Sequence, residues 1–153
     1  MKSRWLLALP SAVLACGVIL AACGGNGSSA SHDHSESHEG ETWEHRASYA
    51  DLPDFTQDFT DRVQHLYSIV GEYEEIMKQV KCYCGCMDYN NAHDSLHRCY
   101  VASKSADEVV WTDHSGLCGI CTAELSSIET WTKEGKTPEQ IVQLIEDNFN
   151  PNI

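Results

Sequence analysis

Residues 52–80 read LPDFTQDFTDRVQHLYSIVGEYEEIMKQV, and the spacing of their apolar side chains decides the fold. Phe55, Phe59, Val63, Leu66, Tyr67, Val70, Tyr73, Ile76, Met77 and Val80 recur at intervals of three and four. Such intervals line one face of an α-helix, so the segment predicts an amphipathic helix ending near Gln79. Leu52-Pro53-Asp54 supplies the turn before it, with Asp54 as a capping residue. The aromatic stripe reads as core, because one apolar helix face needs a partner layer to bury it.

Downstream the same pattern recurs twice. A second helix is predicted from about Leu117 to Glu134, with Asp113 or Ser115 as N-cap, Cys121, Leu125, Ile128 and Thr132 on one face, and Gly135 as its stop. Thr137-Pro138-Glu139-Gln140 is a capping box with proline in the first turn, opening a third helix that carries Ile141, Leu144, Ile145 and Phe149. Only Tyr100–Val101 and Val109–Thr112 read as extended. The expected fold is therefore mainly α: a small helical domain of about three main helices over residues 49–153, with Cys-rich loops and at most a short β-hairpin.

Upstream of residue 49 the composition changes. Lys2 and Arg4 precede a largely apolar run from Trp5 to Leu20, and Leu20-Ala21-Ala22-Cys23 follows. This resembles a bacterial lipoprotein signal with its lipobox, which implies cleavage after residue 22 and diacylation of Cys23. Residues 1–22 are then a signal peptide and 23–48 a lipidated, flexible Gly/Ser/His-rich tether on the extracytoplasmic face of the cell membrane. The tether holds His32, His34, His38 and His45 among Asp33, Glu36, Glu39, Glu41 and Glu44. Imidazoles and carboxylates so mixed form either a weak metal-collecting tail or a solvated spacer.

The 153 residues carry 10 Lys plus Arg against 23 Asp plus Glu, a formal charge of −13. Loss of residues 1–22 removes two basic residues and no acidic one, leaving 8 against 23, or −15. A nucleic-acid binder needs a basic face to displace phosphate counterions, so that class is excluded and cations become the natural partners. Such a surface is also not drawn to an anionic bilayer, so attachment rests on the acyl chains.

The chemistry lies between the first and second helices. Cys82, Cys84 and Cys86 form C-x-C-x-C; His93, His97 and Cys99 follow, then His114, then Cys118 and Cys121 as C-x-x-C. This order, with Trp111-Thr112-Asp113-His114 and the Gly135-Lys136-Thr137-Pro138-Glu139-Gln140-Ile141 run, resembles the bacterial PCYCGC-motif lipoprotein family. Lys81 stands where that motif begins with proline, and Met87 where a further glycine is common. The resemblance implies a Cys-rich extracytoplasmic lipoprotein and leaves the mechanism to the residues themselves.

Six thiolates with nearby imidazoles suit a soft ion: one tetrahedral Zn(II), or several Cu(I) ions bridged by sulfur. Four ligands close a zinc site and leave two cysteines over, whereas a Cu(I) cluster uses all of them, so copper is favoured and zinc is the alternative. The expected ligands are Cys82, Cys84, Cys86, Cys99, Cys118 and Cys121, with His93, His97 or His114 as extras. A membrane metal transporter or an oxidase assembly factor is the matching partner. Two other readings stay open. An even set of cysteines outside the cytosol can form disulfides that staple an interaction module, although bridges between residues two apart are strained. Cys118 and Cys121 can instead serve as the couple of a thiol-disulfide oxidoreductase. No Ser-His-Asp order, phosphate loop or HExxH stands out, so a binding protein is expected ahead of an enzyme.

Overall fold

The structure, a computed structural model, describes residues 35–38, 40–85 and 93–153. Three helices, α1 (Asp61–Met77), α2 (Gly119–Lys133) and α3 (Pro138–Phe149), make a mainly helical small domain. Beside them lies an antiparallel sheet of β1 (Ser35–His38), β2 (Glu41–Arg46), β3 (Val101–Lys104) and β4 (Val109–Thr112), in the order β1-β2-β4-β3. Among the described residues no helix is long and apolar enough to cross a membrane.

The stripe on α1 is buried as its spacing requires: Leu66, Tyr67, Val70, Tyr73 and Met77 face inward. They meet Cys121, Leu125 and Ile128 of α2, Ile141 and Ile145 of α3, and Val109 and Trp111 of β4 in one continuous core. Tyr67 is its hub, with ring centroids of Tyr100, Phe55, Trp111 and Phe59 at 5.0, 5.6, 5.8 and 6.1 Å. Its hydroxyl donates to the Thr112 carbonyl at 2.8 Å, which satisfies the polar end of an otherwise apolar ring.

The first helix differs from expectation at its start. Asp54–Asp58 form a separate 3-10 turn, Phe59 is extended, and α1 begins after Thr60. In an unbroken helix Phe55 would sit twelve residues, or about 18 Å, along the axis from Tyr67. The break folds the turn back so that Phe55 and Phe59 both reach that ring. The second helix also begins a little later, with Cys118 as N-cap. The side chains expected to cap it are used elsewhere: Asp113 accepts from the Thr42 N–H at 2.9 Å, and Ser115 donates to the Cys99 carbonyl. Its end is as predicted, for Gly135 takes φ 81° and lets the Lys136 N–H turn back to the Trp131 carbonyl at 3.0 Å. The capping box of α3 is formed in both directions, Thr137 with Gln140.

The expected hairpin is β3 and β4, with Val101 opposite Trp111 and a bulge before Ser103. The surprise lies upstream, where β1 and β2 are made from residues read as tether. In β2, Trp43, Glu44, His45 and Arg46 stand opposite Thr112, Trp111, Val110 and Val109. This strand has little apolar content of its own, and polar bonds hold it. Glu44 is 4 % exposed; its carboxylate takes Arg46 at 2.6 Å and the N–H groups of Asp54 and Phe55 at 2.6 and 3.1 Å. A strand of Glu, Thr, Trp, His and Arg is thus fixed by a buried carboxylate that caps the 3-10 turn. Residues 41–46 belong to the folded domain, and its boundary moves back from residue 49.

Candidate metal centre

Four segments bring the chemistry together: the turn after α1, the turn that ends at Cys99, the turn after β4 and the start of α2. The chain leaves α1 through Val80, whose carbonyl takes the Leu96 N–H at 2.8 Å, and this bond seats the Cys82 turn against the Cys99 turn. Cys84 is followed by Gly85 at φ 83°, a backbone angle that glycine adopts without strain. Cys99 closes a 3-10 turn (His97–Cys99), and Cys118 and Cys121 open α2. Cys82, Cys84, Cys99, Cys118 and Cys121 are all free thiols, and Cys82, Cys99 and Cys121 are buried.

The ligand atoms of Cys82, Cys84, Cys99 and Cys121 all lie within 4.8 Å of one another. The same holds for Cys84, His114, Cys118 and Cys121, and for His93, Cys99 and His114. Sulfurs about 2.3 Å from one tetrahedral ion stand about 3.8 Å apart, so these sets could hold a metal ion with small adjustments. Cys82 Sγ and Cys121 Sγ are 3.3 Å apart.

Packed thiols and imidazoles polarise one another. Cys118 is drawn down to about 6 by the Cys121 thiol and by the N–H groups of Cys121 and Ile120 at the helix start. Cys99 falls to about 7, through Cys121 and Cys82 first, with His93 assisting. Cys84 is lowered by Cys121, Cys82, Cys99 and His114. Cys121 is raised, chiefly by Cys118, Cys82, Cys84 and Cys99, which take up negative charge before it. His114 rises to about 9 beside Cys84, against the effect of its burial.

Two carboxylates that sequence reasoning did not assign to the centre stand against it. Glu41 Oε1 is 3.0 Å from both His93 Nε2 and His114 Nδ1, whose rings lie 4.5 Å apart. Its other oxygen accepts from the Thr112 hydroxyl at 2.7 Å and the Trp43 indole at 3.3 Å. Burial alone would raise Glu41, but the bonds from Thr112 and Trp43 and the two imidazoles bring it below the usual carboxylate value. Glu124, wholly buried one turn beyond Cys121, accepts the Tyr83 N–H at 2.9 Å and so fixes the backbone between Cys82 and Cys84. Burial pushes its carboxyl up to about 8 despite a bond with Cys82, and the thiolates of Cys99, Cys84 and Cys118 add to the rise. The signal for Glu124 was present: it shares the inner face of α2 with Cys121, Leu125 and Ile128. Glu41 gave no more than its place among the several acidic residues of the tether, since the strand that it opens was not visible in the sequence.

The chain belongs to the family of proteins of unknown function with the PCYCGC motif. Its family model matches residues 12–152, all of the described residues but the last. Comparison with curated proteins and with solved structures finds no significant match.

Of the PCYCGC motif's own cysteines, Cys82 and Cys84 enter the centre, and Cys86 lies outside the described residues, as do Cys23, His32 and His34. Cys99, Cys118, Cys121, His93 and His114 are also brought together in these sets. His97, expected as an extra ligand, is not in any of the three sets. Its Nε2 bonds the Tyr49 hydroxyl at 2.8 Å, and burial pushes the ring down to about 4. His38 lies in β1, and His45, read as part of the collecting tail, is in β2 with Nδ1 3.0 Å from Glu108.

Proposed function

We propose that this chain is a membrane-anchored extracytoplasmic lipoprotein that binds a soft transition metal, Cu(I) in a multi-thiolate cluster, for storage, delivery or detoxification. The observation that carries the reading is the overlap of the three ligand sets. Cys84 and Cys121 belong to two of them, Cys99 joins the first to the third, and His114 joins the second to the third. Filling more than one set therefore requires shared ligands, and thiolate is the donor that bridges. Cu(I), content with two or three ligands, uses such an array, whereas a single Zn(II) closed by four leaves the rest idle. The lipid anchor at Cys23 rests on the lipobox, and it keeps the site beside membrane partners such as a metal transporter or an oxidase assembly factor.

The test is anaerobic extraction of the full-length chain in detergent, followed by metal analysis by mass spectrometry and titration of accessible thiols. More than one copper per chain with protected thiols supports the cluster. One zinc per chain supports the closed site, and no metal with no free thiols overturns both.

A second reading is favoured by Cys118 alone. It is half-buried at the start of α2, its thiol is drawn down to about 6, and Leu117 and Ile120 beside it are 75 % and 41 % exposed. That is the setting of a nucleophilic thiol with an apolar landing surface for a partner. Disulfide reductase activity abolished by Cys118→Ser in metal-free protein would establish it.

A further inference from the structure

Glu41 touches both imidazoles, and it reaches them from a strand outside the Cys-bearing segments. A carboxylate only accepts hydrogen bonds, so the nitrogens facing it, His93 Nε2 and His114 Nδ1, are the ones that carry the protons. Each ring then turns its other nitrogen, with its lone pair, away from Glu41. For His93 that nitrogen is Nδ1, which is buried and has no hydrogen-bond partner among the described residues. A buried ring nitrogen without a partner is costly unless something binds it. Cys99 is the thiol that acts most strongly on the His93 ring, and Cys84 has that place for His114. The rings are tilted at 48° to each other, and each is grouped with a thiol within 4.8 Å, His93 with Cys99 and His114 with both Cys99 and Cys84.

We propose that Glu41 is the positioning residue of a mixed nitrogen–sulfur metal position, holding His93 and His114 so that Nδ1 of the first and Nε2 of the second ligate beside Cys99 and Cys84. The inference rests on the metal-binding reading above and divides that centre into two kinds of place. Cys121, grouped with Cys82 in one set and with Cys118 in another, anchors a sulfur-rich region at the start of α2. The histidine pair provides a nitrogen-rich region toward the sheet. Carboxylate, imidazole and metal in line fix the tautomer, aim the ring and make the ligating nitrogen more basic. Here one carboxylate does this for two rings, and Thr112 and Trp43 hold it in place. Loss of an outer-shell carboxylate typically weakens metal binding about 10- to 100-fold.

The experiment loads the full-length chain in detergent anaerobically with Cu(I) supplied as its acetonitrile complex. X-ray absorption at the copper edge then gives the nitrogen-to-sulfur ratio and the outer-shell scattering of bound imidazole. Wild type is expected to show imidazole scattering together with sulfur. Glu41→Ala should lose the imidazole signal and release its weakest-held copper about 10- to 100-fold more readily to a competing chelator. His93→Ala and His114→Ala leave β2 untouched and should lose the same copper. The double variant E41A/H93A should be no worse than H93A alone, since both act on one position. Glu41→Gln, which keeps an accepting oxygen, should recover part of the signal. Sulfur-only copper in wild type would overturn this inference and leave the copper reading standing. An imidazole signal unchanged in E41A but absent in H93A would overturn the role of Glu41. A wild-type chain that takes up no copper would overturn both.

Discussion

Replacing Glu44 by alanine tests whether the residues before position 49 are part of the fold. The carboxylate is buried in β2 and accepts three hydrogen bonds: from Arg46 at 2.6 Å, from the Asp54 N–H at 2.6 Å and from the Phe55 N–H at 3.1 Å. Bonds to a charged acceptor contribute about 1.5–3 kcal/mol each, and donors left buried without a partner cost about 1–3 kcal/mol. Arg46 has fallback partners, the Asp54 carboxylate at 3.3 Å and the carbonyls of Leu52 and His45 at 3.2 and 3.0 Å, so most of its share is recovered. The two backbone N–H groups have none so near, and they account for a loss of about 3 kcal/mol. For a domain of this size that loss lowers the melting temperature by roughly 12 °C. Circular dichroism of the full-length chain during heating measures it. Glu108→Ala is the control, since Glu108 is half exposed and paired with His45 at 3.0 Å, and should shift stability by no more than about 0.5 kcal/mol. A Glu44→Ala melting curve within 2 °C of wild type would show that β2 does not hold the 3-10 turn and would refute the placement of residues 41–46 in the domain.

Three further outcomes follow from the same structure. Burial opposes the ionisation of Glu74, but Lys104 and Lys78 hold its carboxyl at about 2. A lowered carboxylate stabilises the fold fully above its ordinary value of 4.5 and loses that contribution as pH falls toward 2, so Glu74→Gln should flatten the acid limb of stability over that window by at most about 1 kcal/mol, read by urea titration at stepped pH. A Cβ on Gly116 would lie 2.1 Å from Phe59 Cε2, so Gly116→Ala must push the ring off Tyr67 and should cost about 1–3 kcal/mol in chemical denaturation. Saturating metal at 100 times its dissociation constant should stabilise the chain by about 2.7 kcal/mol, seen as a rise in melting temperature that a chelator reverses.

The helical part of the fold was legible because it depends on local signals. Periodicity gave α1, the capping box and Pro138 gave α3, and Gly135 gave the end of α2. Each is a relation between residues a few positions apart. The break at Phe59 was not legible, since it is imposed by Tyr67 from eight residues away and by Glu44 from outside the helix. Strand β2 was not legible either, because its sequence has no alternation of apolar and polar residues and its stability comes from pairing with β4 and from one buried carboxylate. The thiols of the centre could be read from spacing, since cysteine is rare enough to carry meaning alone. Which histidines join them could not be: His97 and His93 are four residues apart, yet one faces Tyr49 and the other Cys99. That choice is made by the turn at His97–Cys99, which is a tertiary matter.

Cys82, Cys99 and Cys121 are at once candidate ligands and members of the hydrophobic core, packed with Leu125 and Met77. A core normally tolerates apolar replacements of similar volume, and a surface site can be rebuilt without disturbing what lies beneath it. Neither freedom exists where the same three side chains fill the interior and form the candidate site. Under the proposed function, occupancy would govern how long the chain survives: proteases attack the transiently opened form, and every ion that binds only the closed form lowers its population. On the proposed metal-binding reading, starvation for metal would thereby shorten the protein's lifetime without any dedicated degradation signal.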